Sequence, residues 1–168
     1  KRKSSFTHQN EQARPGYYQV LLTDEKIQAE LTASVHVGGH RYIYSDGGQL
    51  KLWLDLDHSA NKESWNRRII QSQIRVVSPT VVEGYRVITG WAKLRKIYFH
   101  LEFSQPILSS QLHDGNRRYE NTPVINGTEL CGLFCFDKKW NNELICKVAL
   151  SSVSIENARL NMAAEVPG

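Results

Sequence analysis

The sequence predicts a mainly β protein, an antiparallel β-sandwich with one C-terminal helix, and three observations carry that reading. Apolar and polar residues alternate with period two over long stretches, as in Ile27, Ala29, Leu31, Ala33, Val35 and Val37 against Gln28, Glu30, Thr32, Ser34 and His36. Turn chemistry recurs every ten or so residues, at Gly38-Gly39, Asp46-Gly47-Gly48, Ser78-Pro79, Asn126-Gly127 and Asn141-Asn142. Only the closing stretch changes to helical spacing. Nothing reads as the alternating strands and helices of a parallel sheet, so two packed antiparallel sheets are the expected architecture.

Taken in order, the strands are expected at residues 17–22, 27–37, 40–44 and 50–57, the last with Leu50, Leu52, Leu54 and Leu56 facing one way. Residues 59–68 have the composition of a short helical turn. Strands follow at 69–77, 80–88 and 97–104, where Ile97, Phe99, Leu101 and Phe103 alternate with Tyr98, His100, Glu102 and Ser104. Residues 104–122 read as a polar, strand-poor connection. Strands at 130–136 and 144–151 complete the sandwich, which spans residues 1–151. The remainder, 152–168, reads as a helix. Ile155, Ala158, Met162, Ala163 and Val166 share one face, Ser154 caps the first turn, and Pro167-Gly168 ends the pattern. Such a face either folds back on the sheet or meets a partner domain, and the second reading makes Ile155, Ala158, Met162 and Val166 domain-interface residues.

At 168 residues the chain is one domain with enough length to bury roughly 70% of its unfolded surface. Its net charge of +4 is scattered rather than gathered on one element, which speaks against a nucleic-acid binder. No stretch reaches the ~18 apolar residues of a membrane span. Lys1-Arg2-Lys3 has no apolar run behind it, so it is no signal peptide. Three cysteines exclude a fully paired disulfide framework. Cys131 and Cys135, about 13 Å apart along one strand, are too far apart to bond. Cys135 and Cys146 are placed to face each other across a hairpin turning at residues 139–142, with reduced, buried thiols as the simpler reading.

Four constellations carry candidate chemistry. Asp55 and Asp57, beside His58, share a strand face about 7 Å apart, as calcium ligands or acid–base carboxylates would, or as the solvated end of a strand. His8 and Glu11 lead through Arg14-Pro15-Gly16 to Tyr17, a set suited to sugar hydroxyls or to a structural turn at the sandwich edge. Trp91, between Gly90 and Ala92, offers an indole face to a pyranose ring or fills the core of a bent strand. Asn126-Gly127-Thr128 fits a glycosylation sequon, relevant to a protein secreted from a eukaryote. No phosphate-cradling glycine loop, nucleophile elbow or Cys-x-x-Cys pair is present.

Four segments together resemble the N-terminal domain of glycoside hydrolase family 92, the calcium-dependent exo-acting α-mannosidases. They are Phe6-Thr7-His8-Gln9-Asn10-Glu11 through Tyr18 to Ala33; His40-Arg41-Tyr42 with the strand ending at His58; Gly84-Tyr85-Arg86 through Gly90-Trp91-Ala92 to Pro106; and Ser151 through Ser154-Ile155-Glu156-Asn157-Ala158-Arg159 to Gly168. They occur in the family's order and span nearly the whole chain.

The resemblance implies an N-terminal β-sandwich, a helical linker and an (α/α)6-barrel catalytic domain. It implies a chain truncated at both ends, whose general acid, general base and calcium ligands belong to the barrel. No residue here matches a family catalytic position. The implied parent is an inverting glycosidase that trims terminal α-linked mannose from glycans, with calcium bound in the full-length protein. The sandwich would shape one wall of the sugar pocket, and the protein would be secreted, periplasmic or on the cell surface. A stand-alone carbohydrate-binding or purely structural sandwich is the alternative expectation.

Overall fold

The computed structural model describes residues 4–45, 49–58, 68–90, 92–137 and 142–167. The chain opens with one turn of 3-10 helix, His8–Asn10, and continues through β1 (Glu11–Arg14), β2 (Tyr17–Leu22), β3 (Ile27–Ala33), β4 (Val37–Tyr44) and β5 (Leu50–Asp55). There follow β6 (Arg68–Ser78), β7 (Val81–Thr89), β8 (Arg95–Phe103), β9 (Ile107–Asp114) and β10 (Arg117–Glu120). The last elements are β11 (Val124–Gly127), β12 (Leu130–Phe136), β13 (Glu143–Ser151) and the helix α1 (Ile155–Glu165). The strands form two antiparallel sheets, one of nine strands in the order β1-β2-β3-β4-β13-β8-β7-β6-β11 and one of four in the order β10-β9-β12-β5.

Strand alternation places the core. Ile74, Val82, Phe99, Leu101, Phe103 and Leu144 from the large sheet meet Leu50, Leu112, Leu130, Phe134 and Phe136 from the small one. Phe103 packs against Phe136 at 4.9 Å between ring centroids and against Phe134 at 5.8 Å. The opposite positions of β8 and β13 turn to the outer face of the large sheet, where Val37 and Ala149 form a second cluster with Ala158 and Met162 of α1. Helix and small sheet thus cover opposite faces of the nine-stranded sheet, and β1 and β2 contribute no residue to the inter-sheet core.

Several expectations need correction. Residues 27–37 are not one strand: the chain reverses after Ala33, closed by the Ser34 N–H donating to the Val37 carbonyl at 2.8 Å. A tight hairpin preserves period-two alternation, so pattern alone did not show it. Gly38-Gly39 lies inside β4, where Thr32 packs against the bare Gly39 backbone. The stretch 104–122 holds the β9–β10 hairpin, turning at Gly115 with φ +56°. Its inward residues are few and partly polar, Ser110 beside Leu112, which masked the alternation. Asn126-Gly127 ends β11 rather than forming a turn, held by Ser72 Oγ donating to the Gly127 carbonyl at 2.8 Å. Cys135 and Cys146 lie in different sheets and all three cysteines are free. Burial pushes the Cys146 thiol up to about 12. The helical turn at 59–68 falls, apart from Arg68 in β6, outside the described residues, and so does most of the turn at 139–142.

Gly84 fixes the spacing of β7 between β6 and β8 in the large sheet. A methyl group there would overlap the Gln73 carbonyl oxygen and come within 2.8 Å of the Phe99 ring, and neither neighbour is a flexible side-chain tip. Gly84→Ala is therefore expected to destabilise the fold by roughly 1–3 kcal/mol or more. A lower denaturation midpoint at unchanged m-value would show it, and wild-type stability would refute the packing argument.

Candidate functional site

The sandwich presents three places where the proposed side chains gather: the outer face under α1, the β1–β2 hairpin, and the end of β5. The first is the most heavily constrained. Ser154 caps α1 by accepting from the Asn157 N–H at 3.0 Å, and Glu156 occupies the first turn, where the helix dipole favours an anion. Ala158 and Met162 are buried against the sheet, Ile155 and Val166 are half-buried, and Ala163 is exposed. The expectation of an unspent face along Ile155, Ala158, Met162 and Val166 is corrected at Ala158 and Met162, which the chain's own sheet covers.

Polar contacts on both flanks explain why the helix folds back. Arg159 donates to the Glu83 carboxylate through Nε and, at 2.8 Å, through Nη2. Asn161 donates to the Leu150 carbonyl at 2.9 Å. Glu165 accepts from the His36 N–H at 2.9 Å and from the Ser34 hydroxyl, and its Oε1 lies 2.6 Å from His36 Nδ1. Glu83 is fully buried, and Arg75 Nη2 at 2.8 Å and His100 Nδ1 at 2.9 Å complete its shell. The other His100 nitrogen lies 3.0 Å from Glu102. Burial alone would push the Glu83 carboxyl up, but hydrogen bonds from Arg159, His100 and Arg75 outweigh it and hold the group at about 2. The Ser34 and His36 hydrogen bonds likewise bring Glu165 to about 2.

None of these four partners was singled out in the sequence. Glu83 and His100 occupy polar positions of two strands, and only the register, in which they are direct cross-strand partners, brings them together under Arg159. Beside the helix end at Val166 a cleft of about 420 Å³ opens on the same face, lined in part by Tyr17, Glu30, Gly39, Arg41, Ile145 and Lys147. Arg41 bridges its rim, donating to Glu143 at 2.7 Å and to Glu30 at 3.2 Å.

At the β1–β2 hairpin the structure brings His8 and Glu11 together and sets Tyr17 apart. His8 Nδ1 lies 2.7 Å from Glu11 Oε2, and the Tyr18 hydroxyl donates to Glu11 Oε1 at 2.7 Å. These hydrogen bonds, His8 first, lower the Glu11 carboxyl below its ordinary value. Tyr17 points to the other face, with Arg14 stacked 4.7 Å from its ring and its hydroxyl donating to Gln19. Trp91 lies outside the described residues.

At the end of β5, Asp55 closes a turn, its Oδ1 accepting from the N–H groups of Asp57 and His58 at 2.8 Å each. The strand ends at Asp55, so the two carboxylates do not share a strand face as expected. Among the described residues no three His, Cys, Asp or Glu side chains converge on a metal position. No helix among the described residues is long and apolar enough to cross a membrane.

Two packed antiparallel sheets with a helix on the outer face of the larger one define a β-sandwich module. Residues 1–151 match the model of the glycosyl hydrolase family 92 N-terminal domain, and the chain belongs to that family. A family GH92 α-mannosidase from Bacteroides thetaiotaomicron is similar at 27% identity and a TM-score of 0.85 over 96% of this chain. A second structure of that enzyme, in complex with mannoimidazole, gives 26% identity and a TM-score of 0.87 over 98%. The family GH92 inverting mannosidase from the same organism shares the fold, with 22% identity and a TM-score of 0.79 over 98% of the chain. The chain spans 21–22% of the length of these three. None of the curated proteins compared with it matches.

Acid is expected to loosen α1 within a defined window. Glu83 and Glu165 titrate near 2 when folded, below their ordinary value of about 4.5. Depressed values mean that both anchors contribute fully above about pH 4.5 and are lost as pH falls towards 2. Hydrogen exchange of the α1 amides across that range would read it. Glu83→Gln, which leaves the Arg75 and Arg159 guanidinium groups without their counter-charge, is expected to cost about 3–5 kcal/mol at neutral pH. It should also flatten the acid response, whereas an unchanged acid profile would refute the anchoring role.

Proposed function

We propose that this chain is the non-catalytic N-terminal β-sandwich of an inverting exo-α-mannosidase that trims terminal α-linked mannose from glycans, and that it shapes one wall of the sugar pocket. The observation that carries the reading is the family match over residues 1–151, joined by the likeness at 26% identity to the enzyme solved with mannoimidazole. In this reading the catalytic acid and base, and the calcium that polarises and orients mannose hydroxyls, are supplied by a catalytic barrel domain outside these residues. The protein then acts on mannose-containing glycans in a secreted, periplasmic or cell-surface setting.

The electrostatics of the sandwich support a scaffold role. A glycosidase general acid needs a carboxyl held above its ordinary value, and an inverting pair flanks the bond with room for a water between. The described carboxyls with displaced values, Glu11, Glu83 and Glu165, are all displaced downward by donors around them. Each is committed to holding structure together. Such groups accept hydrogen bonds well and release no proton at neutral pH.

The test is mannose release from an α-mannobiose by the 168-residue chain and by a polypeptide that adds a barrel domain, with and without a chelator. Chelator-sensitive release by the longer protein alone is the expected result. Turnover by the 168-residue chain would place the catalytic groups within it. A longer protein that binds mannosides without cleaving them would favour a carbohydrate-binding sandwich.

A further inference from the structure

A helix lying on a sheet normally turns its polar residues to solvent and its apolar ones inward. In α1 the polar side chains are spent on the sandwich instead. Asn157 accepts from the Ser151 hydroxyl, Arg159 donates to Glu83, Asn161 donates to the Leu150 carbonyl, and Glu165 accepts from Ser34 and His36. Glu156 is the exception, its side chain 74% exposed. The outward row that Glu156 starts continues at the i+4, i+7 and i+8 positions of one helical face, and these are Leu160, Ala163 and Ala164. All three are exposed, Leu160 by 65%.

Scattered aliphatic residues on a surface need no explanation. Here the apolar residues form two stripes on opposite sides of one helix. Ala158 and Met162 bury the first against the sheet, and the second carries no charge after Glu156. A helix that is apolar on both sides suits a place between two covering layers. One large side chain beside two alanines gives a ridge and a shallow groove, the relief on which another helix packs with its axis roughly 8–10 Å away.

Length and area select the occupant. The chain spans 21–22% of the length of the three family structures, and α1 is its last element. A domain that continues the polypeptide therefore reaches this stripe by a short connection. A second copy of the chain is disfavoured, because a leucine and two alanines offer far less than the roughly 1,000 Å² that a specific dimer buries. A tethered domain has no such requirement, since the linkage itself supplies a high effective concentration. We propose that Leu160, Ala163 and Ala164 are the docking stripe for a helix of the domain that follows this sandwich in the longer polypeptide. α1 is then packed between its own sheet and that domain, and the interface lies opposite Ala158 and Met162. The proposal rests on the reading of this chain as the first domain of a longer mannosidase.

Thiol labelling tests it. Leu160→Cys and Ala164→Cys are each placed in the 168-residue chain and in the polypeptide that adds a barrel domain, with the parent proteins as background for Cys131, Cys135 and Cys146. Both new thiols should react with a maleimide rapidly in the 168-residue chain and at least tenfold more slowly in the longer protein. Equal rates overturn the proposal. Protection that arises in the 168-residue chain and grows with its concentration also overturns it, because the occupant is then a second copy. Leu160→Asp gives an independent reading. It should leave the denaturation midpoint of the 168-residue chain unchanged, and in the longer protein it should raise the labelling rate of Ala164→Cys towards that of the short chain. A rate that Leu160→Asp does not move overturns the stripe. Mannose release is read separately on the longer protein without substitutions. Release together with free labelling at position 160 overturns this proposal alone, and protection without release supports the docking while counting against the mannosidase reading.

Discussion

The arrangement of the whole module depends on one buried carboxylate. Glu83 sits on β7, two strands in from the β11 edge of the large sheet, with no exposure to solvent, and its neutralisation requires donors from three separate elements: Arg75 of β6, His100 of β8 and Arg159 of α1. An ion buried without such partners costs several kcal/mol, so the cluster forms as a unit or not at all. Two of its donors come from strands on either side of β7 and merely require the sheet. The third requires α1 to lie across the sheet at one position and in one direction. Burial of two small apolar contacts, Ala158 and Met162, would tolerate sliding, whereas a bidentate arginine does not.

A sheet of nine strands has two faces to cover, and one sheet of four cannot cover even one of them completely. The inter-sheet core draws on the strands from β4 to β11 and on Ile27 at the start of β3. Beyond that, the β1–β2 end is free of the small sheet, and its polar groups turn to one another: His8 and Tyr18 on Glu11, Arg14 on Tyr17. Clefts open at both margins, one beside the end of α1 and one beside the edge of β5. The second follows from the mismatch in sheet size, and the first from a single helix that covers only part of the outer face.

Strand dominance, the two-sheet architecture and the terminal helix were legible because alternation and helical spacing are local signals. The fold class needed nothing else. Where legibility failed, the missing information was non-local. The reversal between Ala33 and Val37 keeps the side-chain alternation intact, and only the Ser34–Val37 hydrogen bond reveals it. β9 buries Ser110 where a periodic reading expects an aliphatic residue, because Ser110 accepts a place beside Asn121, whose side chain receives the Ser110 N–H at 2.9 Å. The candidate residues fared by the same rule. His8 and Glu11 meet across one turn of 3-10 helix, while Tyr17 is carried to the opposite face by its strand. Glu83 and Arg159 lie 76 positions apart, and no pattern within either segment connects them.

The buried cluster also sets how rigidly α1 is held on the sandwich. Rigidity at this face comes from polar contacts on both flanks of the helix, Arg159 on Glu83 and His36 on Glu165, and from the Ser151 hydroxyl donating to Asn157 at 2.9 Å where β13 turns into α1. All three lie along the path from the last strand to the end of the helix. The direction in which the chain leaves the sandwich is therefore set by the same contacts that neutralise Glu83. Loss of that carboxylate would alter the seating of α1 before it altered the strands themselves, because the inter-sheet core shares no residue with the cluster under the helix.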